Sequence, residues 1–313
     1  MSTTPPARRP DPGFPRESGA MVLLRRLGFD RLAWALRRLH CPVPKDALVL
    51  EVGSGGNPYA RSNVLLDAFE DSIERYHQPL VNDRPLVYGL IECMPFRSGV
   101  FDFVIASHVL EHTTDPSRFL GELQRVAAAG YIETPDAFFE RINPWRFHRL
   151  EVSDDDQGLV LTAKDSWKPD PDVVTLYERK VKRDAGFRHL LTHYPESFYV
   201  RHYWRGGLSW RMTNPGVPCD WPLPRELERD PHSGPVADSS VRSALRSLAR
   251  ALLSQRSRNR HIALAALLRC PGCGHEALEA LPAEIRCPAC GAHYEVRSGV
   301  PVMFPPGHAP VAG

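Results

Sequence analysis

The stretch Leu48-Val49-Leu50-Glu51-Val52-Gly53-Ser54-Gly55-Gly56-Asn57-Pro58 decides the reading of this 313-residue chain. A short, mostly apolar strand runs into a turn with three glycines. Glycine has no Cβ, so such a turn lets backbone come close to a ligand. In an open parallel sheet the turn lies at the carboxyl end of a strand, where ligands bind. The dinucleotide fingerprint GxGxxG is not met, because Pro58 stands where its third glycine belongs. A phosphate-binding P-loop would need Gly-Lys-Ser/Thr, which is absent. What remains is an acid before GxG and a second acid, Asp67, at the end of the next apolar segment. Asp67 is placed to accept hydrogen bonds from ribose hydroxyls.

The segments around this turn alternate. Strands are predicted at Ala47–Val52, Asn63–Leu66, Leu86–Tyr88, Phe101–Ser107 and Gly130–Glu133. A helix is predicted over Pro116–Ala127, with Asp115 as its N-cap and Pro116 at its first position. Nearly continuous apolar strands with helices between them predict an α/β fold, a Rossmann-like, doubly wound, mostly parallel sheet. Met21–His40 has apolar residues at helical spacing and is predicted as one amphipathic helix. Residues 140–235 are less regular. Phe198–Trp204 and Leu208–Met212, flanking Gly206-Gly207, are predicted as an aromatic hairpin at the sheet edge.

Composition excludes several classes. Hydrophobic content of 42% and charged content of 24% belong to an ordinary globular protein. A net charge of +2 does not mark a dedicated nucleic-acid binder. No apolar run reaches the roughly 18 residues of a membrane span. Met1–Arg16 is polar and proline-rich without an apolar signal core, so no secretory leader is expected. Cys41, Cys93 and Cys219 are scattered, which fits reduced thiols and a cytoplasmic setting.

More of the chain agrees with the glycine turn. Met94-Pro95-Phe96, then Phe101-Asp102-Phe103-Val104-Ile105-Ala106-Ser107-His108-Val109-Leu110-Glu111-His112, then Asp115-Pro116 and Tyr131-Ile132-Glu133-Thr134-Pro135, follow it in order. With the turn, this series resembles the motifs of class I S-adenosylmethionine (SAM)-dependent methyltransferases, in their small-molecule branch, over roughly Leu48–Pro135. The resemblance implies SAM as cofactor. It places Glu51, Gly53 and Gly55 around the methionine part, Asp67 at the ribose and Glu92 near the adenine. It puts Ser107 and His108 between cofactor and acceptor. His108 is the candidate catalytic base, ahead of Glu111, His112 and Glu133. In place of the acid that often contacts the adenine amino group stands Leu90, with Glu92 two residues on. Only ten residues separate Gly56 from Asp67, so the first helix is predicted to be very short.

Cys270-Pro-Gly-Cys273 and Cys287-Pro-Ala-Cys290 form two CxxC knuckles separated by thirteen residues. Two such turns predict a tetrahedral four-thiolate site for structural Zn²⁺. Four thiolates leave no open position, so catalysis by this metal is not expected. With Gly299-Val300-Pro301-Val302-Met303 they resemble the small zinc-ribbon activator subunit of tRNA and protein methyltransferases. Between the two regions, Ser239–Arg269 holds seven arginines and no acid. Val241, Leu245, Leu248 and Leu252 share one helical face, and Arg242, Arg246 and Arg250 another. This predicts a basic connector packed on the main domain, or else a contact for an anionic surface.

The expected organisation is a disordered tail at 1–19, a methyltransferase domain at 20–235, a basic helical connector at 236–268 and a zinc ribbon at 269–307. The expected function is methyl transfer to a small-molecule, glycan or lipid-linked acceptor. Two other readings stand beside it. One is an inactive methyltransferase fold serving as a binding scaffold; the other is an RNA-modifying enzyme, which the small net charge disfavours.

Overall fold

The computed structural model describes residues 13–72, 79–166, 170–222, 244, 247–248, 250 and 252–308, with the side chain of Thr192 left aside. Two compact units are present. One comprises Met1–Pro42, Ser107–Pro116 and Tyr131–Leu227; the other comprises Val43–Ala106, Ser117–Gly130 and Glu228–Gly313. Strands β1 (Val49–Val52), β2 (Val64–Asp67), β3 (Leu86–Tyr88), β4 (Phe103–Ser107), β5 (Ala129–Pro135) and β8 (Tyr199–Arg205) form a sheet of order β3-β2-β1-β4-β5-β8. The chain crosses both units within β4 and within β5.

In the second unit β1 pairs in parallel with β2 and β4, and β2 with β3. The chain winds outward from β1 to β3, then returns to the other side of β1 at β4. That reversal is the switch point at which open α/β sheets bind ligands. Every residue of β1, β2 and β4 is buried, including the polar Glu51, Asp67 and Ser107 among their apolar residues. Helix Pro116–Val126 buries Phe119, Leu120, Leu123 and Val126 at helical spacing. Between β1 and β2 the chain forms turns and no helix. Arg84, 5% exposed, holds this connection by donating to the carbonyls of Tyr59 and Ser62.

The cysteine-bearing module belongs to this unit. Strands β10 (Glu279–Ala280), β11 (Glu284–Arg286), β12 (His293–Arg297) and β13 (Val300–Pro301) form an antiparallel sheet. The module continues past the edge strand β3. Val302 bridges Tyr88 in parallel, and Met303 N–H donates to the Tyr88 carbonyl at 2.7 Å. Val300 packs with Leu65, Leu86 and Tyr88. A Cβ on Gly89 would stand 3.0 Å from the Met303 carbonyl, so the glycine permits this approach. Phe96 also bridges Leu268, with Arg97 N–H donating to Leu267 and Arg269 N–H to Pro95. An otherwise open sheet edge is thereby covered.

Of the basic connector, Val241, Leu245, Arg242 and Arg246 lie outside the described residues. Leu248 and Leu252 are exposed. The anchoring is polar instead. Arg250 donates to the Gly56 carbonyl at 3.2 Å. Asn63 donates to Gln255 and Asn259, and Arg258 to the carbonyls of Lys45, Asp46 and Ala47.

In the first unit, the predicted helix Met21–His40 is divided into Gly19–Arg26 and Asp30–Leu36, followed by a 3₁₀ turn at Arg37–Leu39. Gly28, at φ 78°, ends the first segment in the left-handed conformation that glycine tolerates. Of the predicted tail, 1–12 lies outside the described residues, while Phe14 is buried.

The predicted aromatic hairpin does not form. β8 joins the six-stranded sheet, whereas β9 (Trp210–Met212) pairs in parallel with β7 (Gly158–Ala163), itself paired with β6 (Leu150–Asp155). Gly206, at φ 73°, redirects the chain between them. A Cβ at Gly158, whose φ is 136°, would stand 2.1 Å from the Ser209 carbonyl oxygen. Gly158→Ala is therefore expected to destabilise this unit by ~2–3 kcal/mol, read as a lower denaturant midpoint.

Candidate functional site

Three groups of residues carry the chemistry. The first is the turn after β1. Gly53 and Gly55 adopt φ of 61° and 55°, which side-chain-bearing residues rarely take. Gly53 N–H donates to the Leu66 carbonyl, and Gly55 N–H donates to Asp67 Oδ2 at 3.0 Å. Phe69 N–H donates to Asp67 Oδ1 at 3.2 Å. Glu51 is buried and accepts from Tyr59 N–H at 2.8 Å, so its carboxylate shapes the loop. Ser54 Oγ is buried in this turn without a hydrogen bond to any described residue. A buried hydroxyl so placed fits a site completed by a polar ligand. Glu92 stands on a 3₁₀ turn, Ile91–Cys93, after β3.

The second group follows β4. His108 adopts φ 59°, which is strained for a residue with a side chain. Its N–H donates to the Glu133 carbonyl. Nδ1 lies 3.4 Å from Glu111 Oε1, and Nε2 lies 3.5 Å from Glu133 Oε1. Tyr199 meets the ring edge-on at 5.6 Å. A third of the His108 side chain is exposed, against none of Glu133. Burial pushes the imidazole down, but the hydrogen bonds and charges of Glu111 and Glu133 outweigh it and carry its pKa up to about 9. The ring is then protonated at neutral pH, which suits a hydrogen-bond donor better than a base.

Glu133 is a hub. Arg37 donates to both its oxygens, at 2.9 and 3.1 Å, Tyr131 Oη at 2.6 Å and Ser107 Oγ at 3.3 Å. Burial raises its pKa, but His108, Arg37 and Arg38 together hold it well below the usual carboxylate range. Glu133 is thus a fixed anion, unsuited to taking protons. Arg37 stacks on Trp34 at 3.9 Å, and Trp34 packs on Tyr199. Sequence reasoning named Glu133 and missed its partners Arg37 and Tyr131. The available signal was the spacing of Tyr131 and Glu133, two apart on one strand and so on one face.

The third group is Cys270, Cys273, Cys287 and Cys290, whose sulfurs lie within 4.8 Å of one another. Cys270–Cys290 and Cys273–Cys287 are 3.7 and 3.5 Å apart. Tetrahedral zinc with 2.3 Å Zn–S bonds separates its sulfurs by about 3.8 Å, so the set fits that ion. Each knuckle closes alike: Gly274 N–H donates to Cys270, Gly291 N–H to Cys287, and both glycines have positive φ. Tyr294 Oη lies 3.0 Å from Cys270 Sγ.

Residues 50–132 match the methyltransferase domain family. This span, about a quarter of the chain, holds the glycine turn, Asp67, Glu92, Ser107 and His108. Among solved structures, a SAM-dependent methyltransferase of Thermotoga maritima is similar at 19% identity, covering 37% of this chain and 55% of its own, with a TM-score of 0.27. A chain in the complex of the Haloferax volcanii Trm112 methyltransferase activator with a methyltransferase is similar at 14% identity, covering 60% and 94%, with a TM-score of 0.35. A SAM-dependent methyltransferase of Mesorhizobium loti is similar at 13% identity, covering 53% and 79%, with a TM-score of 0.28. The chain thus spans about half the length of the first of these. No curated protein matches it. Among the described residues, no helix is long and apolar enough to cross a membrane.

Proposed function

We propose that this chain is a SAM-dependent methyltransferase acting on a small-molecule, glycan or lipid-linked acceptor, with a C-terminal zinc ribbon. The observation that carries the reading is the turn after β1. Two left-handed glycines, a buried hydroxyl without a hydrogen-bond partner among the described residues and a strand-end aspartate meet there, at the switch point of a parallel sheet and inside the span matching the methyltransferase domain. In this reading SAM, when bound, supplies a methyl group already activated by its sulfonium charge. Gly53 and Gly55 make room for the methionine part, Glu51 holds the loop behind them, Asp67 accepts from the ribose, and Glu92 serves the adenine. Ser107 and His108 serve the acceptor side. His108, its ring fixed by two carboxylates, orients an acceptor by hydrogen bonding. The four cysteines hold zinc as a structural ion, and their module steadies the β3 edge.

The test is SAM affinity in two variants. Gly55→Val places a β-branched residue at φ 55° and a side chain in the ligand's space. SAM binding is expected to weaken more than ~100-fold by calorimetry. Asp67→Ala removes charge-assisted hydrogen bonds and is expected to weaken it roughly 10- to 100-fold. Unchanged affinity in both variants would place the cofactor elsewhere.

A further inference from the structure

Glu111, His112 and His148 each offer one ligand-type atom, and these atoms all lie within 4.8 Å of one another. Glu111 is 1% exposed, and neither of its carboxylate oxygens has a well-aligned hydrogen bond to any described residue. Its nearest described charge partner is the His108 ring, at 3.4 Å. That single long ion pair leaves room at a buried carboxylate for a second cation, which would stabilise its charge further. His148 is also buried, and its ring meets His112 edge-on at 4.7 Å between centroids. Nδ1 of His148 is 2.7 Å from Glu140 Oε2. Glu140 is itself fixed by Lys164 at 2.9 Å and by Trp145 N–H at 3.1 Å. A carboxylate on one imidazole nitrogen fixes the tautomer and aims the other nitrogen, the arrangement that supports metal-bound histidines. Trp145 stacks on the same ring.

We infer that Glu111, His112 and His148 form a second metal site, separate from the four cysteines. Two imidazoles and a carboxylate suit a first-row divalent ion, Zn²⁺ foremost. Three protein ligands leave a coordination position open, which the four-thiolate set does not. A ligand of that position would be an oxygen donor, water or an acceptor hydroxyl. The assignment does not depend on the methyl-transfer reading, because its test measures metal alone.

The full-length protein is stripped of metal, equilibrated with Zn²⁺ and then dialysed, and zinc per chain is measured by mass spectrometry. Two equivalents are expected for the wild type. Glu111→Gln and His148→Gln are expected to retain one. Loading with Co²⁺ separates the sites: thiolate-to-cobalt charge-transfer bands persist in both variants, while the weaker visible bands of a nitrogen–oxygen site are lost. Those persisting bands also report that the variants remain folded. One equivalent in the wild type overturns the inference without recourse to any variant. Two equivalents retained in both variants, or nitrogen–oxygen bands unchanged in them, also overturn it.

Discussion

On the proposal that the four cysteines hold zinc, a strong chelator is expected to unfold the C-terminal module and free the β3 edge. The module is too small to hold itself. Its buried apolar set is little more than Leu268, Ile285, Tyr294, Val300, Met303 and Phe304, and modules of this size need a staple. Structural zinc supplies an apparent ~10–16 kcal/mol in such folds. The sulfur spacings of 3.5 and 3.7 Å lie close to the ~3.8 Å of tetrahedral zinc thiolates. The readout is amide hydrogen exchange at Val302 and Met303, whose N–H groups donate to Glu295 and Tyr88. Protection there is expected to vanish on chelation and return with Zn²⁺. Leu65 and Leu86, which pack on Val300, should lose protection in part. Full protection after verified metal removal would show that the module stands without the ion.

Glu133→Ala is expected to destabilise the first unit by ~3–5 kcal/mol. The carboxylate is fully buried and receives a two-pronged hydrogen bond from Arg37, whose side chain is only 12% exposed. Truncation leaves that guanidinium, the Tyr131 hydroxyl and the His108 ring without their shared anion. Chemical denaturation of the variant measures the loss. The same group sets an acid limit. Its folded pKa lies well below the ordinary carboxylate value of 4.5, so its contribution is fully present above about 4.5 and is lost as pH falls toward the folded value. Wild type should lose stability steeply below pH ~4.5, and Glu133→Ala should lose less over that interval. A variant as stable as wild type would show that Arg37 and Glu133 gain nothing from their pairing.

What the sequence made legible follows from how local each signal is. β3 falls at Leu86–Tyr88, where it was expected, and β1, β2 and β4 differ from their expected spans by one or two residues. Continuous apolar runs bounded by turn residues define buried parallel strands closely. The four cysteines were legible because metal spacing is a property of the chain itself. The β6–β7 hairpin was not read, although Leu150 and Val152 alternate with polar residues and Leu159 and Leu161 answer them across Asp156-Gln157. The proposed aromatic hairpin failed because partner choice is tertiary. β8 and β9 both have strand character, but the turn at Gly206 sends them to different sheets.

The candidate site divides along the same line. Gly53, Gly55 and Asp67 were legible from spacing, and the structure joins Gly55 to Asp67 by a hydrogen bond. The environment of His108 was not legible. Its elevated pKa arises from Glu111 and Glu133, and Glu133 is in turn set by Arg37, 96 residues away in the chain. Likewise, nothing local joins His112 to His148 or Glu140 to Lys164.

The central claim is that the turn after β1 receives SAM. Titration calorimetry of the zinc-loaded wild-type protein with SAM tests it most directly. The expected result is saturable binding of one molecule per chain, competed by S-adenosylhomocysteine and not by NAD⁺. Absence of binding by a folded, metal-loaded sample would contradict it.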